Sequence, residues 1–285
     1  MPTNCAACSE ALPDGARFCL RCGAPAGGAA AAPPGDWAGG VPPPPAPAKR
    51  MSTLVIVLIV VGCLVLCGIP AIAIIAAIAI PNLLAAKLSA NETAAIATLR
   101  NLASCQAQVQ AAGKIDVDED GIGEYGTFLE LTGTAGVRAP GSPDWSKKGP
   151  VVSPPVSSPA LAQVDRVGIV TKSGYAFAIF LPDASGKGWV HETGPAAAAA
   201  LSGPVGTDAA EVRWCAYAWP IARGNSGNRC FFVNEAGDVL QSPNDVYSHQ
   251  GAVGLPDPGS AFLPGTMNPA IGTIGSDGNE WKVTN

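Results

Sequence analysis

Apolar and polar positions divide this chain into stretches of different period. Residues 52–80 carry no charged side chain and are dominated by Ile, Val, Leu and Ala. About 20 apolar residues cross the hydrocarbon core of a bilayer, so this run predicts a membrane-spanning helix with room for tilt. Pro70 should kink it, and Gly62 and Gly68 would let a second helix approach closely. A cleavable signal peptide is the competing reading, but the run is too long and begins too late. Past Pro81 the pattern changes. Leu84, Leu88, Ala95, Leu99, Leu102 and Val109 return at helical spacing, while Lys87, Asn91, Glu92, Thr98, Arg100 and Asn101 fall on the opposite face. Gly113 is a natural stop. One helix is therefore predicted, apolar all round at first and then amphipathic, as a stalk would be that leaves lipid and lies on a folded head.

Prolines at 140, 143, 150, 154, 155 and 159 predict loop over residues 132–163. Short β-rich runs follow at 164–171 and 174–181 around the turn Lys172–Ser173–Gly174. Others lie at 211–221, 229–233 and 238–241. Residues 242–285 are rich in Gly and Pro and are expected to wrap the surface, with Trp281 pinning the end. A long helix followed by four or five antiparallel strands is an α+β domain.

The N-terminus adds chemistry. Cys5, Cys8, Cys19 and Cys22 form C-x2-C-x10-C-x2-C, two tight turns that together offer zinc a tetrahedral four-sulfur shell. Gly23, directly after the last cysteine, suits a positive φ. So short a segment has almost no apolar core, and the metal would supply its folding energy. A disulfide pair is the alternative. The segment CAACSEALPDGARFCLRCG resembles the small zinc-ribbon domains at the N-termini of many bacterial membrane proteins. That resemblance implies a closed, non-catalytic site with no open position for water or substrate. Residues 1–51 hold only Arg17, Arg21, Lys49 and Arg50 against Glu10, Asp14 and Asp36, so no nucleic-acid partner is expected.

Residues 25–51 are mostly Ala, Pro and Gly, and prolines 42–45 favour a semi-stiff extended spacer. Lys49 and Arg50 abut the apolar run, whereas Lys87 is the first charge beyond it. The positive-inside rule then places the zinc ribbon in the cytoplasm and the C-terminal domain outside the cell membrane. A reducing compartment would keep the four thiols available for metal. The expected organisation is a zinc ribbon (1–24), a linker (25–51), a transmembrane helix (52–80) and an extracytoplasmic domain (81–285).

The stretch AAIAIPNLLAAKLSANETAAIATLRN is similar to the N-terminal helix of type IV pilins and type II secretion pseudopilins. SGYAFAIFLP, EVRWCAYAWP and GNRCFFVNEAGDVL also look like the sheet of pilin-like proteins. The resemblance implies a long helix, half anchor and half spine, packed on an antiparallel sheet. Family prepilins also carry a cleavage-site glycine and a glutamate five residues into the mature helix. Counted back from Pro81, those positions hold Ile59 and Leu64. The fitting picture is a pilin-like fold kept in the membrane, with a zinc ribbon where the leader would be.

After the helix comes IDVDEDGIGEYGTFLEL. Asp116, Asp118 and Asp120 alternate ahead of Gly121, as at the opening of a calcium loop, and Glu124 holds the ninth position. The twelfth position is Thr127, so the EF-hand motif is incomplete and a solvated acidic turn is the alternative. On the oxidising side, Cys105, Cys215 and Cys230 allow one disulfide, with Cys215–Cys230 the first choice. His191 and His249 lie in unrelated loops, and no acid/base pair or phosphate loop stands out, so no enzymatic activity is expected. From residue 82 onward 13 Lys and Arg face 19 Asp and Glu, a balance that suits solubility and cation binding. The expected role is structural or interaction-based, with protein partners at the ribbon and the helix, as an accessory to a pilus or type II secretion system. The alternative is a membrane-anchored sensor or adaptor whose outer domain binds a ligand.

Overall fold

A computed structural model describes residues 4–26, 52–195, 198–243 and 256–284. The chain divides into two compact units, Met1–Leu66 and Cys67–Asn285. In the first, the described N-terminal residues form a pair of turns around the cysteines. In the second, an antiparallel sheet carries the fold.

Helix α1 (Thr53–Ala111) continues through Pro70 and Pro81. Its part from Ile72 to Ala111 is long and apolar enough to cross a membrane, and Thr53–Leu66 is a shorter apolar stretch. Its large apolar side chains among the described residues stay exposed as far as Leu83 and Leu84. Burial begins at Glu92 and then follows Ala95, Thr98, Leu99, Leu102, Cys105, Gln106 and Val109. The expected packing face is thus correct from Ala95 on, but Leu84 lies outside it. Glu92 and Thr98, assigned to the polar face, are inside. Glu92 is held there by Arg229, whose guanidinium donates to its carboxylate at 2.6 and 2.8 Å. Thr98 meets the Lys172 ammonium at 3.4 Å. Gly113, at φ +55°, lets the chain reverse, and the Lys114 N–H closes the end on Val109 O.

Eight strands make the main sheet, and every pairing in it is antiparallel. They are β1 (Val170–Lys172), β2 (Tyr175–Pro182), β3 (Trp189–Val190), β6 (Cys215–Pro220), β7 (Cys230–Asn234), β8 (Leu240–Ser242), β9 (Thr273–Ile274) and β10 (Glu280–Val283). Their order is β1-β2-β6-β7-β8-β10-β9, with β3 also on β2. A separate ribbon joins β4 (Glu192–Thr193) to β5 (Ala200–Leu201). Two short helices, α2 (Phe128–Leu131) and α3 (Thr207–Val212), sit outside the sheet.

Strand alternation sorts side chains between two cores. Tyr175, Phe177, Ile179 and Leu181 join Ala95, Leu99, Leu102 and Val109 of α1 in one. Ala176, Ala178 and Phe180 join Tyr217, Trp219 and Phe232 in the other, under Phe262, Ala270 and Trp281. The sheet is therefore buried on both faces, which is why β2, β6 and β7 read as continuous apolar runs. The C-terminal segment does more than wrap the surface. It covers the second face and adds β10 to the sheet beside β8. Trp281 is fully buried, as expected for a pin.

Two further expectations are corrected. Residues 211–214 do not extend a strand, because 207–212 form α3 before β6 begins at Cys215. The strand expected from residue 164 shrinks to β1, with Val164 making a single bridge.

Candidate metal centre

Two knuckles with one internal geometry bring the N-terminal cysteines together. Cys5 N–H donates to Glu10 O and Ser9 N–H to Cys5 O; fourteen residues on, Cys19 N–H donates to Ala24 O and Gly23 N–H to Cys19 O. Bridges Asn4↔Ala11 and Phe18↔Pro25 close the two turns in the same way. Each turn requires a left-handed residue after its second cysteine. Gly23 supplies it at φ +74°, and Ser9 adopts φ +59° at the equivalent place.

All four sulfurs lie within 4.8 Å of one another. Cys5 and Cys22 approach to 3.6 Å and Cys8 and Cys19 to 3.5 Å. A tetrahedron with zinc–sulfur bonds of 2.3 Å has edges of about 3.8 Å, so the four thiols can hold a zinc ion. Backbone N–H groups of Arg21 and Cys22 point at the Cys19 sulfur and lower its thiol to about 7. At Cys8 the Glu10 N–H pulls down, but the Cys22 and Cys19 thiols outweigh it and push the group up to about 12. Crowded thiols of this kind lose their protons readily only when a cation takes their place. Beneath them the apolar content is small: Leu12 and the cysteines themselves. Leu20 and Phe18 face outward, with Leu20 94% exposed.

The acidic segment is arranged differently from its linear motif. Asp116, Asp118 and Asp120 do converge, with a carboxylate oxygen of each within 4.8 Å of the others. Gly121 takes φ +90° at the sharp turn. Glu124 is not part of this group. It points inward, accepting from Val117 N–H at 2.9 Å and pairing with Arg138 at 2.8 Å, with no exposure of either side chain. Its expected place among the calcium ligands is therefore corrected. Instead, Asp208 and Glu211 on α3 bring carboxylates within 4.8 Å of Asp118. Glu211 is held above the ordinary carboxyl range, by burial first and then by Asp120, Asp118, Asp208 and Asp116.

Below the loop lies a buried ionic network that the linear sequence does not signal. Arg138 also pairs with Glu130 at 3.1 Å and donates to Tyr125 O at 2.6 Å. Glu130 and Thr127 form a reciprocal capping box on α2. Both oxygens of Glu192 accept from the Phe128 and Leu129 N–H groups. Burial raises Glu124 to about 7 and Glu192 to about 8, against the backbone donors and the arginine that favour their charged forms.

The expected Cys215–Cys230 bridge is not formed, and every described cysteine is free. In the β6–β7 register Cys215 faces Asn234. Cys230 lies four residues further along β7, or about 13 Å at strand spacing, beyond the reach of a disulfide. Burial pushes both thiols far up. Cys105 sits in α1, where its thiol donates to Val156 O. Of the two histidines, His191 stacks edge-on against Phe180, while residue 249 lies outside the described residues.

No family model matches this chain, and no curated protein or solved structure does either.

Proposed function

We propose that this chain is a non-enzymatic, single-pass membrane protein that joins a cytoplasmic zinc ribbon to a pilin-like extracytoplasmic head. The observation that carries the reading is α1 itself. One helix presents apolar side chains outward along its first part and packs into the head from Glu92 onward. An anchor that becomes the spine of an antiparallel sheet domain is the pilin arrangement noted in the sequence. The charges at Lys49 and Arg50 support an N-terminus in the cytoplasm.

In this reading zinc supplies the folding energy of the ribbon, and Cys5, Cys8, Cys19 and Cys22 hold it. The exposed Leu20 and Phe18 then offer a protein partner an apolar contact on a rigid knuckle. The head and helix serve assembly, as an accessory to a pilus or secretion machine. The sensor reading draws support from one feature, a groove of about 860 Å³ lined by Lys187, Trp189, Arg213, Asp257 and Met267. A ligand there would make the head a receptor.

Intact mass of the membrane-extracted protein, combined with protease treatment of sealed spheroplasts, tests the reading. The expected result is a chain of nearly 285 residues whose head is cut from outside while the ribbon survives. A mature chain starting between residues 52 and 71 would mean a processed filament subunit. A head protected in sealed cells would reverse the topology.

A further inference from the structure

The loop after α1 lacks the glutamate that completes a calcium-binding loop, yet the fold brings Asp208 and Glu211 beside its Asp118 from far along the chain. We infer that Asp118, Asp208 and Glu211, with Asp116 and Asp120 of the adjoining group beside them, form a site for one calcium ion. Asp118 belongs to both groups of converging carboxylates, one within the loop and one with α3, so the two groups adjoin at its side chain.

Packing fixes this meeting. The Tyr125 N–H donates to Ala210 O at 2.8 Å, and the Gln110 side chain reaches Glu211 O at 3.5 Å. These contacts tie α3 to the end of α1 and to the exit of the acidic loop. Within the loop each aspartate commits one oxygen to the backbone. Asp116 Oδ2 accepts from Gly121 N–H, Asp118 Oδ1 from Asp120 N–H, and Asp120 Oδ1 from Ile122 N–H. Their other oxygens are left for a ligand.

A crowd of acidic side chains on a surface means little alone, because water solvates it. Glu211 is the exception here. It is only 8% exposed, and its Oε1 is buried with no hydrogen-bond partner. Asp116 Oδ1 is a second buried oxygen without a partner. An unpaired buried carboxylate oxygen is costly, and here one occurs in each of two adjoining groups that share Asp118. None of the five carboxylates forms an ion pair among the described residues. A cation held by Asp118, Asp208 and Glu211 would satisfy the orphaned Glu211 oxygen and relieve the repulsion among the neighbouring carboxylates.

Donor chemistry selects the ion. All the donors are oxygens, from carboxylates on a flexible loop and one helix, with neither sulfur nor imidazole among them. Hard cations prefer such a set, and an irregular shell of six to eight oxygens suits calcium better than the strict octahedron of magnesium. Glu211 adds a glutamate carboxylate that the loop itself lacks at Thr127, which is engaged as the cap of α2.

The test uses the full chain, loaded with zinc and extracted in detergent, titrated with calcium chloride by calorimetry and followed by thermal unfolding. One calcium should bind per chain, and at about one hundred times its Kd the midpoint should rise by roughly 5–10 °C. Asp118→Asn and Glu211→Gln should each abolish the shift. Both should also raise the calcium-free midpoint slightly, because each removes a repelling charge while keeping its shape. That second change separates loss of a ligand from loss of fold. No binding at millimolar calcium overturns the site, and an unaltered calcium shift in Glu211→Gln overturns the role of α3.

Discussion

Arg138 is the one cation in a buried group that also contains Glu124, Glu130 and Glu192, and replacing it should expose how the head balances them. In Arg138→Met the side chain keeps much of its volume but gives up ion pairs at 2.8 and 3.1 Å and the donor to Tyr125 O at 2.6 Å. Glu124 and Glu130 are then left without a counterion at zero side-chain exposure. Breaking a buried pair from one side costs about 3–5 kcal/mol. For a head of this size that corresponds to a fall of roughly 6–20 °C in the unfolding midpoint.

The pH dependence carries the sharper sign. Glu124 and Glu192 have folded values of about 7 and about 8, both above the ordinary 4.5. A carboxyl whose value rises on folding favours the native state while protonated. Its contribution is full below about 4.5 and fades as pH rises through the folded value. Arg138 is what makes the charged form of Glu124 tolerable. Its loss should therefore hurt more near pH 8 than near pH 5, where the cost at Glu124 is relieved by protonation. Near-ultraviolet circular dichroism of the detergent-extracted chain, melted from pH 5 to 8.5, reads both quantities. A loss under about 1 kcal/mol at pH 8, or one independent of pH, would refute the reasoning.

Two further outcomes concern the N-terminal knuckles. Cys22→Ser should abolish the one zinc per chain measured by metal analysis, because three ligands leave the tetrahedron open; retention of stoichiometric zinc would contradict the four-sulfur centre. Ser9→Gly should stabilise the zinc-loaded ribbon by about 0.5–1 kcal/mol, since Ser9 holds φ +59° where its counterpart is glycine. Resistance of bound zinc to a competing chelator measures this, and weaker retention than in the parent would show that the two turns are not equivalent.

Local chemistry was readable in the residues themselves. The two CxxC turns close through bonds between residues four and five apart, so spacing alone defines them. The apolar run announces a helix long and apolar enough to cross a membrane, because solvent preference is a property of each side chain. The spine from Ala95 to Val109 and strands β2, β6 and β7 follow from period and burial.

Where partners are distant in sequence, only the tertiary structure decided. Glu124 holds the ninth position counted from Asp116, but Arg138, fourteen residues on, pairs with it in the interior. Cys215 and Cys230 look like a pair until the register sets them about 13 Å apart. Residues 207–212 make a helix where a strand was expected, since α3 docks on the Tyr125 backbone. That docking also brings Asp208 and Glu211 to an acidic loop some ninety residues upstream. The sequence alone determined which residues carry charge, sulfur and apolar surface; chain topology decided which of them meet, because a contact between distant positions depends on every turn in between.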